Sequence, residues 1–442
     1  MNWQGKCGSK LVSLGKALEN IKTGDTVAVA PYSTTPFTLC NGLMDEVRSG
    51  RIKQMRVEHL ASPCEWTHAD FNGAIALYDN YATAPNRAAC HVGEMNYLPI
   101  GMWESHLLPA GLTAEPDVFL VPVSPPDDRG YCSFGTGVWM SPGLVRGAKI
   151  VIAEVVEDFI RTHGENYVHI DEIDYFVESQ PQLANALEVP GPTEEEVAQV
   201  EAICTMVGVE LINDGDTLQM GVGTVSASLG RFLDFRNDLG IQTELVTGGV
   251  AELVENGNIT GLRKSIHVGK VVGSALVAMP REELLMIHEN PVFELYDFGY
   301  TDDLRRLIQL DNFVTVNNAL VVDLTGQVAA EAFNHRMYTG VGGQTVFMIA
   351  GAYSRGGKSV SVVPSSSVPS TTGTRVTRIV PTLEPGTPVT VPRTFVDFVV
   401  TEFGIAELKG KTVVERVHAL CDIAHPDFQD ELRTQGRKLY GA

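Results

Sequence analysis

The sequence predicts an α/β protein made of two related halves, each an open, mainly parallel sheet with helices on its faces. Three observations carry this. Short β-branched and aliphatic runs such as Asp117 to Val123 and Lys149 to Val155 alternate with helical patterns, as parallel sheets require. The 442 residues exceed what one hydrophobic core holds. The chain also repeats itself. Ile21-Lys22-Thr23-Gly24-Asp25-Thr26-Val27 is echoed by Ile212-Asn213-Asp214-Gly215-Asp216-Thr217-Leu218, and Asp127-x-x-Gly130 by Asp323-x-x-Gly326, in the same order.

In chain order, Leu11 to Ile21 has an amphipathic helical pattern ended by Gly24. Thr26 to Ala30 reads as a strand running into the loop Pro31 to Pro36, with a helix from about Phe37. The apolar strand 117–123 empties into a turn-rich loop, Ser124 to Tyr131. Val189-Pro190-Gly191-Pro192 suits no regular element, so the boundary is placed there: one domain over 1–190, a second over 191–442, and a ligand cleft between them. Thr193 and Glu196 form a capping box for a helix running towards Val209. Ile241 to Val246 reads as a short buried strand ended by Gly248-Gly249, with a helix from about Val250. Val316 to Val322 is a strand before the Asp323 turn. Ser365-Ser366-Ser367, between Pro364 and Pro369, reads as a flexible surface loop, and His425-Pro426-Asp427 as the turn opening a last helix.

Composition narrows the function. Net charge is −21, from 33 basic and 54 acidic residues, which argues against a nucleic-acid binder. No apolar run reaches the roughly 18–20 residues that span a bilayer, and no signal core follows Met1, so a cytoplasmic protein is expected, with no membrane partner. The seven cysteines are scattered without a CxxC pair, and the histidines show no ligand spacing. No disulfide framework and no metal are expected.

Three stretches carry candidate chemistry. Glu244 is a carboxylate inside an apolar run, at the strand end where α/β sheets bind ligands. The plain alternative is a strand-end Glu facing water. Gly221-Val222-Gly223 follows a strand and opens a helix, so its N–H groups could meet an oxyanion; it could equally be a tight βα turn. Gly340, Gly342 and Gly343 make a loop whose N–H groups no side chain shields, again either an anion cradle or a turn. Ser226 stands where a dinucleotide fingerprint needs its third glycine, which disfavours a dehydrogenase. No Gly-x-Ser-x-Gly elbow supports a serine hydrolase.

Thr243-Glu244 with Gly248-Gly249, Val322 to Val328, Gly340-Val341-Gly342-Gly343-Gln344, Val399 to Ala406 and Ile423 to Phe428 occur in an order that resembles the acetyl-CoA hydrolase/transferase family, most closely its 4-hydroxybutyrate CoA-transferase branch. Ser124-Pro125-Pro126-Asp127 fits it too. The resemblance spans nearly the whole chain. It implies two CoA-transferase-type, NagB/RpiA-like α/β domains with the active site between them. It implies CoA transfer between an acyl-CoA and a carboxylate through Glu244, with oxyanion donors at Val222 and at Gly342-Gly343. Coenzyme A enters as substrate, no cofactor is permanently bound, and family habit suggests a homo-dimer or tetramer. An acyl-CoA hydrolase on the same scaffold, and a non-catalytic CoA-binding protein, are the competing readings. Many relatives carry an Asn-x-Pro turn whose Asn the resemblance assigns to positioning the glutamate; this chain departs from it with Asp302-Asp303-Leu304, and Asp302 is expected in that positioning place.

Overall fold

The computed structural model describes residues 3–102, 112, 115–180, 193–370 and 372–442. The Pro-Gly-Pro boundary at 189–192 lies outside the described residues.

The first sheet has seven strands, all paired in parallel. Their order is Tyr175–Glu178, Ile150–Val155, Val118–Val123, Thr26–Val29, Met55–Glu58, Ile75–Asp79 and Asn96–Tyr97. Side chains alternate between its faces. Val27, Val29, Val57 and Leu120 enter one core, whereas Ala28, Phe119, Val121 and Val151 enter another. Both faces are therefore covered, which explains why these strands read as continuous apolar runs.

The second sheet has nine strands: Gly404–Glu407, Phe398–Thr401, Lys358–Val362, Phe313–Asn318, Thr217–Met220, Gly240–Gln242, Val271–Gly273, Phe293–Leu295 and His163–Gly164. Among the described residues of this sheet, only the pairing of Phe398–Thr401 with Gly404–Glu407 is antiparallel. Between the two edge strands, the order matches the first sheet. In each, the earliest strand is central, the next three lie to one side, and the later three to the other. One edge strand, His163–Gly164, comes from the first half and pairs with Phe293–Leu295.

The repeated motifs fold alike, bond for bond. Asp25 Oδ2 accepts the Lys22 N–H at 2.7 Å, and Asp216 Oδ2 accepts that of Asn213 at 2.8 Å. The glycines before them take φ of +96° and +86°, a conformation that excludes most side chains. Asp127 Oδ1 accepts from the N–H groups two and four residues on, at 2.8 and 2.9 Å, and Asp323 Oδ1 does the same at 2.9 and 3.0 Å. These are side-chain-closed turns, encoded locally.

Elsewhere the outlines shift. The first expected helix shortens to Leu14–Leu18, capped by Ser13. The capping box at Thr193 is present, and its helix runs Glu194–Met206 before a π-helical turn. The strand expected over 316–322 divides into Phe313–Asn318 and Val321–Asp323. The serine run is no surface loop. The Ser365 N–H and hydroxyl donate to Glu402 at 2.9 and 2.7 Å, and Ser366–Ser367 pairs with Val376–Thr377. A partly buried carboxylate draws those donors inward.

The halves interlock beside the candidate nucleophile. Val138 N–H donates to the Ser274 carbonyl at 2.9 Å, Leu276 N–H to Thr136 at 2.7 Å, and Phe298 N–H to Trp139 at 3.0 Å. Met102, Trp139, Leu245, Ala275, Val277 and Phe298 form a small core at this junction. Among the described residues no helix is long and apolar enough to cross a membrane.

Candidate active site

Glu244 does not lie within a continuous strand. Gly240–Gln242 pairs with Val271–Gly273, Leu245–Val246 pairs with Ala275–Leu276, and Thr243-Glu244 forms the step between. The step is held at its backbone: the Glu244 carbonyl accepts from Ser274 at 2.7 Å and Ala275 at 3.3 Å. The Thr243 hydroxyl bonds the Met220 and Leu245 carbonyls at 3.3 and 3.1 Å. This break brings the Glu244 side chain to the wall of a cavity of about 720 Å³, with 8% of the residue still exposed. Tyr81, Val222, Asn318, Gly342 and Arg378 also line it, so both halves contribute.

Burial pushes the Glu244 carboxyl up to about 7, opposed by hydrogen bonds from Asp302 and from the Gly343 N–H. Asp302 is fully buried at the end of the helical turn Phe298–Thr301. Burial first, and then the charge of Glu244, hold its carboxyl well above the usual range. The two carboxyls therefore titrate as a pair.

The glycine loop is shaped by what it touches. Gly342 has φ +56°, and a Cβ there would strike the Tyr81 hydroxyl; a Cβ on Gly340 would strike the Asn80 carbonyl. The loop is pinned to the first half. Ala82 N–H donates to Thr339 at 3.2 Å, Met102 N–H to Gly342 at 3.3 Å, and the Arg87 guanidinium covers the Tyr338 ring at 4.2 Å. Gly343 gives its N–H to Glu244, so in this state it holds the carboxylate and is not a vacant oxyanion donor.

At the second loop, the Gly221 N–H is engaged by the Val316 carbonyl at 2.9 Å, which removes it from the expected donors. Val222 and Gly223 are the two that this turn can offer. Val222 is half exposed at its tip. A Cβ on Gly223 would overlap Asn318, whose Oδ1 accepts the Ser226 N–H at 3.0 Å. Beneath the turn, Gln219 and Asn317 exchange amide hydrogen bonds of 3.1 and 2.8 Å.

Tyr81 and the Asn317-Asn318 pair were not singled out from sequence. Adjacent amides at a strand's carboxyl end were a legible signal. Tyr81 carried none; burial, and next the Glu244 charge, push its phenol well above its ordinary value. Among the described residues no group of three or more His, Cys, Asp or Glu could hold a metal ion.

The acetyl-CoA hydrolase/transferase N-terminal domain matches residues 1–188, and the C-terminal domain of that family matches residues 282–436. Glu244 falls between the two matches. The chain is 33% identical over 442 residues to 4-hydroxybutyrate coenzyme A transferase of Clostridium kluyveri, covering 100% of both. It is 30% identical over 445 residues to butyryl-CoA:acetate CoA-transferase of Anaerostipes caccae, covering 99% of this chain and 98% of the other. Its fold is similar to the crystal structure of RipA from Yersinia pestis, with a TM-score of 0.88, 30% identity and 100% of both chains covered.

Proposed function

This chain belongs to the acetyl-CoA hydrolase/transferase family and is an enzyme that transfers coenzyme A, and on that premise we propose that Glu244 is its nucleophile, moving CoA between a short-chain acyl-CoA and acetate or another short carboxylic acid. The observation that carries the reading is a buried carboxylate on the wall of a cavity between two glycine turns.

A carboxylate is a weak nucleophile in water, and desolvation strengthens it. Glu244 attacks the thioester carbonyl, and the C–S bond breaks to give an acyl-glutamyl anhydride and CoA thiolate. The thiolate attacks the glutamyl carbonyl, releasing the first acid as its carboxylate and leaving a glutamyl-CoA thioester. A second carboxylate enters and the steps run in reverse, a ping-pong sequence. The N–H groups of Val222 and Gly223 are suited to the oxyanion formed at the acyl carbonyl. Gly343 serves the other oxyanion: once Glu244 is acylated, the N–H that held its carboxylate meets the oxygen that becomes negative when thiolate attacks.

Incubation with butyryl-CoA and acetate tests the reaction. Acetyl-CoA formation is the expected result; free CoA alone would make the protein a hydrolase, with water taking the thioester. Borohydride after mixing with acyl-CoA should reduce a thioester at Glu244, found by peptide mapping. An unmodified Glu244, with full activity in Glu244→Ala, sinks the mechanism.

A further inference from the structure

The Asp302 carboxyl has two differently occupied oxygens. Oδ1 accepts the Thr301 hydroxyl at 2.9 Å, while buried Oδ2 receives no N–H or hydroxyl from its surroundings. A Cβ on Gly343 would collide with both Asp302 Oδ2 and Glu244 Oε2, so these oxygens share one confined space. Two ionised carboxylates repel strongly in a dry pocket, and one proton between them converts repulsion into a charge-assisted hydrogen bond.

We propose that Asp302 is a positioning residue that stays protonated at neutral pH and donates that proton as a hydrogen bond to the Glu244 carboxylate, orienting the nucleophile and setting the alkaline limit of the reaction. The inference rests on Glu244 being the nucleophile. The charged groups acting on Asp302 are Glu244 and Asp297, the latter at the start of its own helical turn, and both are acidic. From the first half, the Tyr81 phenol faces Glu244 and is itself raised by that charge, so it brings no positive charge to the pair, and the glycine loop contributes backbone N–H. These surroundings favour the neutral acid. With one proton on the pair, Glu244 is ionised and aligned. With two, it cannot attack. With none, the charges push apart and alignment is lost. The dependence of kcat on pH is then bell-shaped and belongs to the pair.

The test is the pH profile of kcat and KM for the wild type, Asp302→Asn and Asp302→Ala. Asparagine keeps a donor in place but cannot ionise, so Asp302→Asn retains transfer and the acid limb while losing the alkaline fall. Asp302→Ala loses the donor and about 100-fold in kcat, with KM for acyl-CoA little changed. An alkaline limb that persists in Asp302→Asn overturns the proposal, as does an Asp302→Ala kcat within about threefold of wild type. Should Asp302→Ala fail to fold, the Asp302→Asn profile decides alone. Failure of the nucleophile assignment would show instead as an active Glu244→Ala, whatever the Asp302 variants do.

Discussion

Gly343 donates its backbone N–H to the Glu244 carboxylate, tying a loop pinned by the first half to the step between two strands of the second. No side chain fits at 343, since a Cβ there meets Glu244, Asp302 and Phe347 together. Gly343→Ala should lower kcat by about 100-fold through misplacement of the carboxylate, with an unchanged circular dichroism spectrum.

The site weakens the fold that holds it. The Glu244 carboxyl is raised in the folded protein to about 7, chiefly by burial, so the folded state retains a proton that the unfolded chain gives up. Beside the further fall that the Asp302 carboxyl causes at higher pH, stability therefore falls through Glu244 as pH rises from the ordinary carboxylate range to about 7. Glu244→Gln removes this loss. It should match the wild type at low pH and exceed it at pH 8 by something on the order of 3 kcal/mol, read from thermal melts across that range.

Asn317 and Gln219 satisfy each other beneath the turn that carries Val222. Asn317→Ala leaves a buried amide unpaired, at a cost of about 1–3 kcal/mol. Urea denaturation should register that loss, and a raised KM for acyl-CoA should accompany it as the turn loses its support.

Gly340 lies against a backbone carbonyl, that of Asn80, which cannot rotate aside as a side chain would. Gly340→Ala should push the loop off the first half, lowering both Tm and kcat. A variant that keeps wild-type transfer would show that this docking is dispensable for chemistry.

Much of this was readable along the chain. The alternation of strands and helices, the Asp-closed turns and the Thr193 capping box are short-range effects, encoded within a few residues of each other. They were enough to expose two related halves and, with the glycine turns, to point to Glu244. The errors fell where longer contacts overrule local pattern. The run 241–246 is uniformly strand-like, yet it steps at Thr243-Glu244 because its two ends pair with different partners. The serines at 365–367 look like a loop until Glu402 draws them in.

Residue identity and spacing were sufficient for the architecture and the repeat, and they marked Glu244 as a candidate whose proposed role came from the family resemblance. Tertiary structure alone decided what that carboxylate is like. Desolvation depends on every atom that excludes water, and sharing a proton depends on two oxygens meeting in one small space. Asp302, Gly343 and Tyr81 reach Glu244 from distant parts of the chain, and no local pattern could have announced the meeting.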